Sequence, residues 1–311
     1  MSRDKYMDWE GDCWVRRGPR LVGSASIRER LDPFPRGLIP YTAKLSELRG
    51  PAVVDQALTQ VLYGYLRFTE QLELKSINRV GQWIALGELP IEIPRHLRSR
   101  AFLLVRDEAH HATVSDDVAG QIERLTGYPP LVAGEPGFLA DIAAVSNRSP
   151  GIHEADLETA FATISETLIS GSLALIPKDE SVLPLVRDYA EAHKVDEARH
   201  QAFFSEFFEW WWPRLPSRTR GELGPLLPDL CLAFLRPDIG FHQQVLEAVG
   251  LSPRQARDWV HESFPEASLG ASVRRPLQVT LRVFQRAGVL DDSATADAFA
   301  ARGLIDGSRD R

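Results

Sequence analysis

The chain has 311 residues, 44% of them apolar and 25% charged, enough to bury one large core or two modest ones and too apolar for disorder along its bulk. Its 36 lysines and arginines against 43 aspartates and glutamates leave a net charge of −7, the wrong sign for holding nucleic acid through its phosphates. Cys13 and Cys231 are the only cysteines, too few for a disulfide framework or a Cys-rich metal site, and neither a leader-type apolar segment nor a run of about 18 apolar residues occurs. A cytoplasmic protein with no membrane or nucleic-acid partner is expected.

Residues 1–50 carry Gly, Pro and Arg at irregular positions (RRGPRLVG, DPFPRGLIPY) without a sustained period, which reads as an irregular N-terminal arm. From Pro51 the apolar residues recur three and four apart, and no series of alternating strand-like runs is found. Helices are expected at 51–77, 80–88, 95–126, 136–146, 155–176, 181–212, 217–235, 239–249, 253–263 and 272–287. Ser252 ahead of Pro253, and Asp179 or Ser181 ahead of Val182, serve as start signals, and Gly127 and Pro213 as stops. The chain therefore divides into an arm (1–50), an all-α bundle (51–290) and a tail (291–311). Trp210, Trp211 and Trp212 cannot all face one core, so the run belongs either to a subunit interface, as in a homodimer, or to an aromatic cluster under a loop.

Two strings stand above this background, Asp107-Glu108-Ala109-His110-His111 and Asp196-Glu197-Ala198-Arg199-His200. A Glu and a His three apart share one helix face, so each string aims a carboxylate and an imidazole at a common point. Leu97, Ala101 and Leu104 share the stripe of Glu108 and His111, and Val186 and Phe204 that of Glu197 and His200, so both strings point inward. Burying four ionisable groups costs several kcal/mol apiece unless a cation compensates them. Paired Glu-x-x-His helices with one further Glu on each of two other helices form the ligand scheme of di-iron and di-manganese bundles.

Glu166 supplies one further carboxylate, being the sole acidic residue between Thr159 and Lys178 in an otherwise apolar segment. On the 51–77 helix both Glu70 and Glu73 fall on the face of Leu62, Leu66 and Ile77, and periodicity does not separate them. His193 projects from the stripe of Glu197 and His200, either as a third imidazole or as a core histidine. Arg199 either pairs with a carboxylate near the site or is exposed. His96, His110, His153, His242 and His261 lack partner spacing and read as structural or exposed.

With these residues assembled, the sequence resembles the p-aminobenzoate N-oxygenase family of di-iron oxygenases over roughly residues 60–210. That family is similar in placing a Glu about 35 residues ahead of the first motif's glutamate, as Glu73 precedes Glu108. It also places a Glu 27 residues ahead of an extra histidine, as Glu166 precedes His193. The resemblance implies a ferritin-like, ribonucleotide-reductase-like bundle and a di-iron centre held by Glu73, Glu108, His111, Glu166, His193, Glu197 and His200. It implies that Asp107 supports His200 and Asp196 supports His111, each from the opposite motif. It further implies O2 as co-substrate and an amine or amino-acid substrate taken to hydroxylamine, nitroso or nitro in natural-product biosynthesis. An external reductase must serve as electron donor, because no G-x-G-x-x-G fingerprint is present. A di-iron C–H hydroxylase or desaturase, or a non-catalytic ferritin-like metal binder, would use similar ligands. A radical-tyrosine subunit fits less well, since Ser115 stands one turn beyond His111.

Overall fold

The computed structural model describes residues 9–23, 31–131, 134–265 and 273–306, the side chains of 170–172 excepted. Parts of the arm and tail, and residue 272 at the expected start of the last bundle helix, lie outside the described residues. Among those described, helices account for all regular structure except an isolated bridge between Asp32 and Val182. No described helix is long and apolar enough to cross a membrane.

Four long helices carry the architecture. Helix α4 (Pro51–Leu72) opens with Pro51 at its first position, where the missing N–H costs nothing. It runs without a break through a π turn (Glu73–Ile77) into α5 (Asn78–Leu86). The interruption expected at residues 78–79 is therefore absent, since neither Gly nor Pro stands there to impose one. Helix α6 (Arg95–Thr126) ends at Gly127, whose φ of 72° is the left-handed cap conformation that glycine adopts freely. After the short α7 (Gly137–Asn147), helix α8 (Glu154–Leu173) and helix α9 (Pro184–Trp211) complete the ring. Helix α6 packs between α4 and α9, α9 lies against α8, and α8 returns to the π turn and α5.

Helix α9 begins later than Asp179 or Ser181 for a definable reason. The preceding segment is held extended against the arm, with the Asp32 amide donating to Ser181 O at 2.8 Å and the Leu183 amide to Asp32 O at 3.0 Å. Beyond the ring, the helix expected at 217–235 is split by Gly224-Pro225 into α10 (Ser217–Leu223), a 3-10 turn and α11 (Leu227–Leu235). A Cβ on Gly224 would sit 2.2 Å from Thr295 Oγ1, so glycine is what lets the tail helix Ser293–Ala301 approach. Helix α12 (Ile239–Ala248) packs on α4 and on α13 (Pro253–Ser263), and the latter opens with a Ser252/Gln255 capping box. Helix α14 (Gln278–Arg286) packs on α8 and α9, and Ser293–Ala301 is α15.

The arm is more ordered than its composition suggests, with short helices α1 (Trp9–Asp12) and α2 (Trp14–Arg17) and the two-turn α3 (Thr42–Arg49). Of the tryptophan run, Trp211 and Trp212 are buried within this chain, and Trp210 is partly buried with the Arg214 guanidinium 4.9 Å from its ring.

Candidate metal centre

The ring of helices encloses a polar interior. Glu73 enters from the π turn, Glu108 and His111 from α6, Glu166 from α8, and His193, Glu197 and His200 from α9; each is at most 1% exposed. Glu70, one turn earlier on α4, stays half-buried outside this group. The apolar stripes carry the motifs inward, because Leu97, Ala101, Leu104, Val186 and Phe204 are all fully or almost fully buried on the same faces.

The donor atoms fall into two overlapping groups, Glu73, His111, His193 and Glu197 in one, and Glu108, His111, Glu197 and His200 in the other. Within each group, one ligand atom per residue lies within 4.8 Å of all the rest. Glu108 divides its carboxylate, with Oε2 3.1 Å from His111 Nδ1 and Oε1 3.0 Å from His200 Nδ1. Glu197 Oε1 stands 3.0 Å from His193 Nε2, 3.2 Å from His200 Nδ1 and 3.5 Å from His111 Nδ1. Glu73 Oε1 reaches His193 Nε2 at 3.1 Å, and Glu166 Oε2 comes to 3.9 Å from His200 Nδ1.

On their far sides the imidazoles meet aspartates. Asp196 Oδ2 lies 3.2 Å from His111 Nε2, and Asp107 Oδ2 lies 3.6 Å from His200 Nε2. An imidazole that gives its Nε2–H to a carboxylate presents a bare Nδ1 lone pair on the opposite edge. That edge is the one turned toward the glutamates.

Buried this close together, the seven ionisable groups shift one another strongly. Burial pushes the Glu73 carboxyl up to about 7, with the neighbouring histidines pulling the other way. Burial, with Glu197 and Glu108 beside it, raises Glu166 well above the usual carboxylate range. Burial also acts on Glu197, but His200 and His193 outweigh it and hold that carboxyl well below its ordinary value. Burial works against charging His111 and His200, yet the carboxylates around them lift both well above the usual imidazole range. Glu73 Oε2, Glu166 Oε2 and Glu197 Oε2 are buried without a hydrogen-bond partner among the described residues, and Glu73 Oε1 and Glu108 Oε1 meet their imidazole nitrogens outside hydrogen-bonding geometry. Unsatisfied buried oxygens of this kind cost about 1–3 kcal/mol each. Four carboxylates and three neutral imidazoles match the charge of two divalent ions and the oxygen and nitrogen preference of iron or manganese. The residues present fit a two-metal centre.

Of the groups around these donors and aspartates, only Arg199, left open between pairing with a carboxylate and exposure, was singled out by the sequence, and it pairs with Asp196. The arm places Trp9 and Trp14 against the motif histidines, with ring centroids 5.7 Å from His200 and 6.0 Å from His111. The Trp9 indole donates to Asp107 Oδ2 at 2.7 Å, and the Trp14 amide donates to Asp196 Oδ2 at 3.1 Å. Arg106 donates to Asp107 Oδ1 at 2.9 and 3.0 Å, and Arg199 to Asp196 Oδ1 at 2.6 Å. Burial works against Asp107, but His200, Trp9 and Arg106 hold it down at about 2. Tyr189, hydrogen-bonded to Ser115 at 2.7 Å, turns its ring edge to His193 at 5.7 Å. A tryptophan-rich arm, DWEGDCW, was the one available signal, and no spacing rule ties it to helices so far along the chain. An open groove of about 660 Å³ runs outside the π turn, lined by Leu74, Lys75, Arg79, Trp83 and Glu158 among others, and none of the seven donors lines it.

Residues 67–285 match the model of the family described as P-aminobenzoate N-oxygenase AurF. That span is more than half of the chain and takes in all seven inward donors and both aspartates. No curated protein matches the chain.

Proposed function

Since the chain belongs to the AurF family of p-aminobenzoate N-oxygenases, we propose that it is a non-haem di-iron oxygenase acting on the nitrogen of an amine. The products would be a hydroxylamine, nitroso or nitro compound. One observation carries this reading beyond family membership: two buried donor groups share His111 and Glu197, and four carboxylate oxygens of these groups and one of Glu166 make no hydrogen bond among the described residues. Glu73, Glu108, His111, Glu166, His193, Glu197 and His200 would hold the two ions, Glu108 with one oxygen toward each motif histidine. When bound, the two ferrous ions would supply the electrons and the binding point that activate O2.

The remaining work belongs to the chain. Asp107 and Asp196 fix the ring orientation of His200 and His111, so that their Nδ1 atoms stay turned inward. Trp9, Trp14 and Tyr189 pack their rings against the imidazoles, with Tyr65 against Tyr189, keeping bulk water from the reacting atoms. A neutral amine enters such an interior at lower desolvation cost than an ammonium, and its lone pair is what takes the oxygen atom. The substrate is a small amine or amino acid of a natural-product pathway. The proposal includes a cytoplasmic homodimer served by a separate reductase.

The test is direct. Purified protein should carry about two irons per chain, as this ligand scheme requires. Reduced protein exposed to oxygen with a panel of amines and amino acids should yield products oxygenated at nitrogen, read by mass. Hydroxylation at carbon with nitrogen untouched would replace this reading by a C–H oxygenase, and iron uptake far beyond two with no product would replace it by a storage bundle.

A further inference from the structure

Each supporting aspartate receives the same three kinds of partner. Asp107 faces His200 of the other motif, accepts from Arg106 of its own helix, and accepts the Trp9 indole N–H from the arm. Asp196 faces His111, accepts from Arg199 of its own helix, and accepts the Trp14 backbone N–H from the arm. The arginines also grip the arm itself. Arg106 reaches Glu10 Oε2 and Cys13 Sγ, both at 2.8 Å, and Arg199 reaches Asp12 O at 3.4 Å.

A segment that merely covered apolar surface would bury its rings without meeting the polar rim in this matched way. Here two arm residues five positions apart find two carboxylates that lie on different helices, and both carboxylates touch a histidine of the proposed centre. We infer that Trp9 is a positioning residue for His200, acting through Asp107, and that residues 9–17 form a clasp over the histidine side of the metal centre. The inference rests on the ligand assignment proposed above.

The physical step is short. A carboxylate turns about its Cβ–Cγ bond unless its oxygens are tied on both sides. Arg106 ties Oδ1 and Trp9 ties Oδ2, so the carboxylate plane is fixed and Oδ2 is held toward His200 Nε2. Without the indole N–H, Oδ2 is free to follow Arg106, and the ring of His200 loses the contact that keeps Nδ1 turned to Glu108 and Glu197. Partners of this kind are worth about 10- to 100-fold in metal affinity.

Full-length Trp9→Phe keeps an aromatic ring and removes the N–H. Trp211→Phe is the control, an equally buried tryptophan whose Nε1 has no hydrogen-bond partner among the described residues. Both proteins would be loaded with Co(II), whose visible absorption reports ligand geometry, and then challenged with a chelator. Trp9→Phe should release cobalt roughly tenfold faster than wild type, with displaced absorption bands, whereas Trp211→Phe should lower Tm yet leave release rate and bands at wild-type values. Arg106→Gln, at a side chain 27% exposed and therefore milder for folding, should accelerate release through the same aspartate and decides the matter if Trp9→Phe fails to fold. Wild-type release and unshifted bands in the folded Trp9 variant, or in the Arg106 variant should it stand alone, overturn the clasp while leaving the centre itself intact. A wild-type protein that takes up no cobalt overturns the ligand assignment and this inference together.

Discussion

Glu108 sends one oxygen to the histidine three residues ahead on its own helix and the other to a histidine 92 positions further along the chain. The first contact is dictated by helical pitch and so could be anticipated from sequence, as could the inward turn of Glu197 and His200. Glu73 shows where such reasoning stops, because it and Glu70 share one stripe and the π turn that begins at Glu73 adds no letter to the sequence. His193 is the residue whose assignment separates most cleanly by experiment. Its Nε2 lies 3.0 Å from Glu197 and 3.1 Å from Glu73, while its Nδ1 has no partner among the described residues. His193→Ala should leave the helical circular dichroism unchanged but cut metal retention at least tenfold, the loss expected when the surround of a bound ion is disturbed. A lower Tm with full metal content would return it to the role of a packed core histidine.

Elements that hold the ring together can be read at the next scale. The arm and the outer layer meet where the Tyr41 hydroxyl lies 2.9 Å from His242 Nδ1, with the Phe264 ring 4.8 Å from the imidazole. Burial holds His242 down at about 4, below the ordinary histidine value near 6.5. The unfolded chain thus takes up a proton below about pH 6.5 that the folded chain refuses until about pH 4. Stability is lost as the pH falls through that window, by about 3 kcal/mol from this one group. Urea denaturation at pH about 6.5 and about 4.5 should show His242→Gln losing less stability on acidification than wild type; equal losses would show that this imidazole titrates freely in the folded protein. Helix limits were legible where glycine or proline stands, at Gly127 and at Ser252-Pro253. The late start of α9 was not, because Asp32, which holds residues 181–183 extended, lies some 150 positions away. Gly224-Pro225 carried a warning in the sequence that the apolar period of 217–235 masked.

At the scale of the whole molecule, four long helices close around four carboxylates and three imidazoles that are buried together. Metal should therefore act as a component of stability, because an ion bound by the folded chain and not by the unfolded one adds about 2.7 kcal/mol at a free concentration one hundred times its Kd. Calorimetry of chelator-treated protein should show a lower Tm than iron-loaded protein, restored by Fe(II) or Mn(II); an unchanged Tm would mean that the seven side chains bind no ion. The all-α architecture was legible because four long helices announce themselves by period, whereas the docking of the arm was not, because its contacts span 98 and 182 positions. Those spans have a bearing on biosynthesis. Trp9 and Trp14 leave the ribosome before either aspartate they engage exists, so the histidine side of the bundle stays uncovered until the polypeptide has been made past Arg199 and the early segment folds back over it.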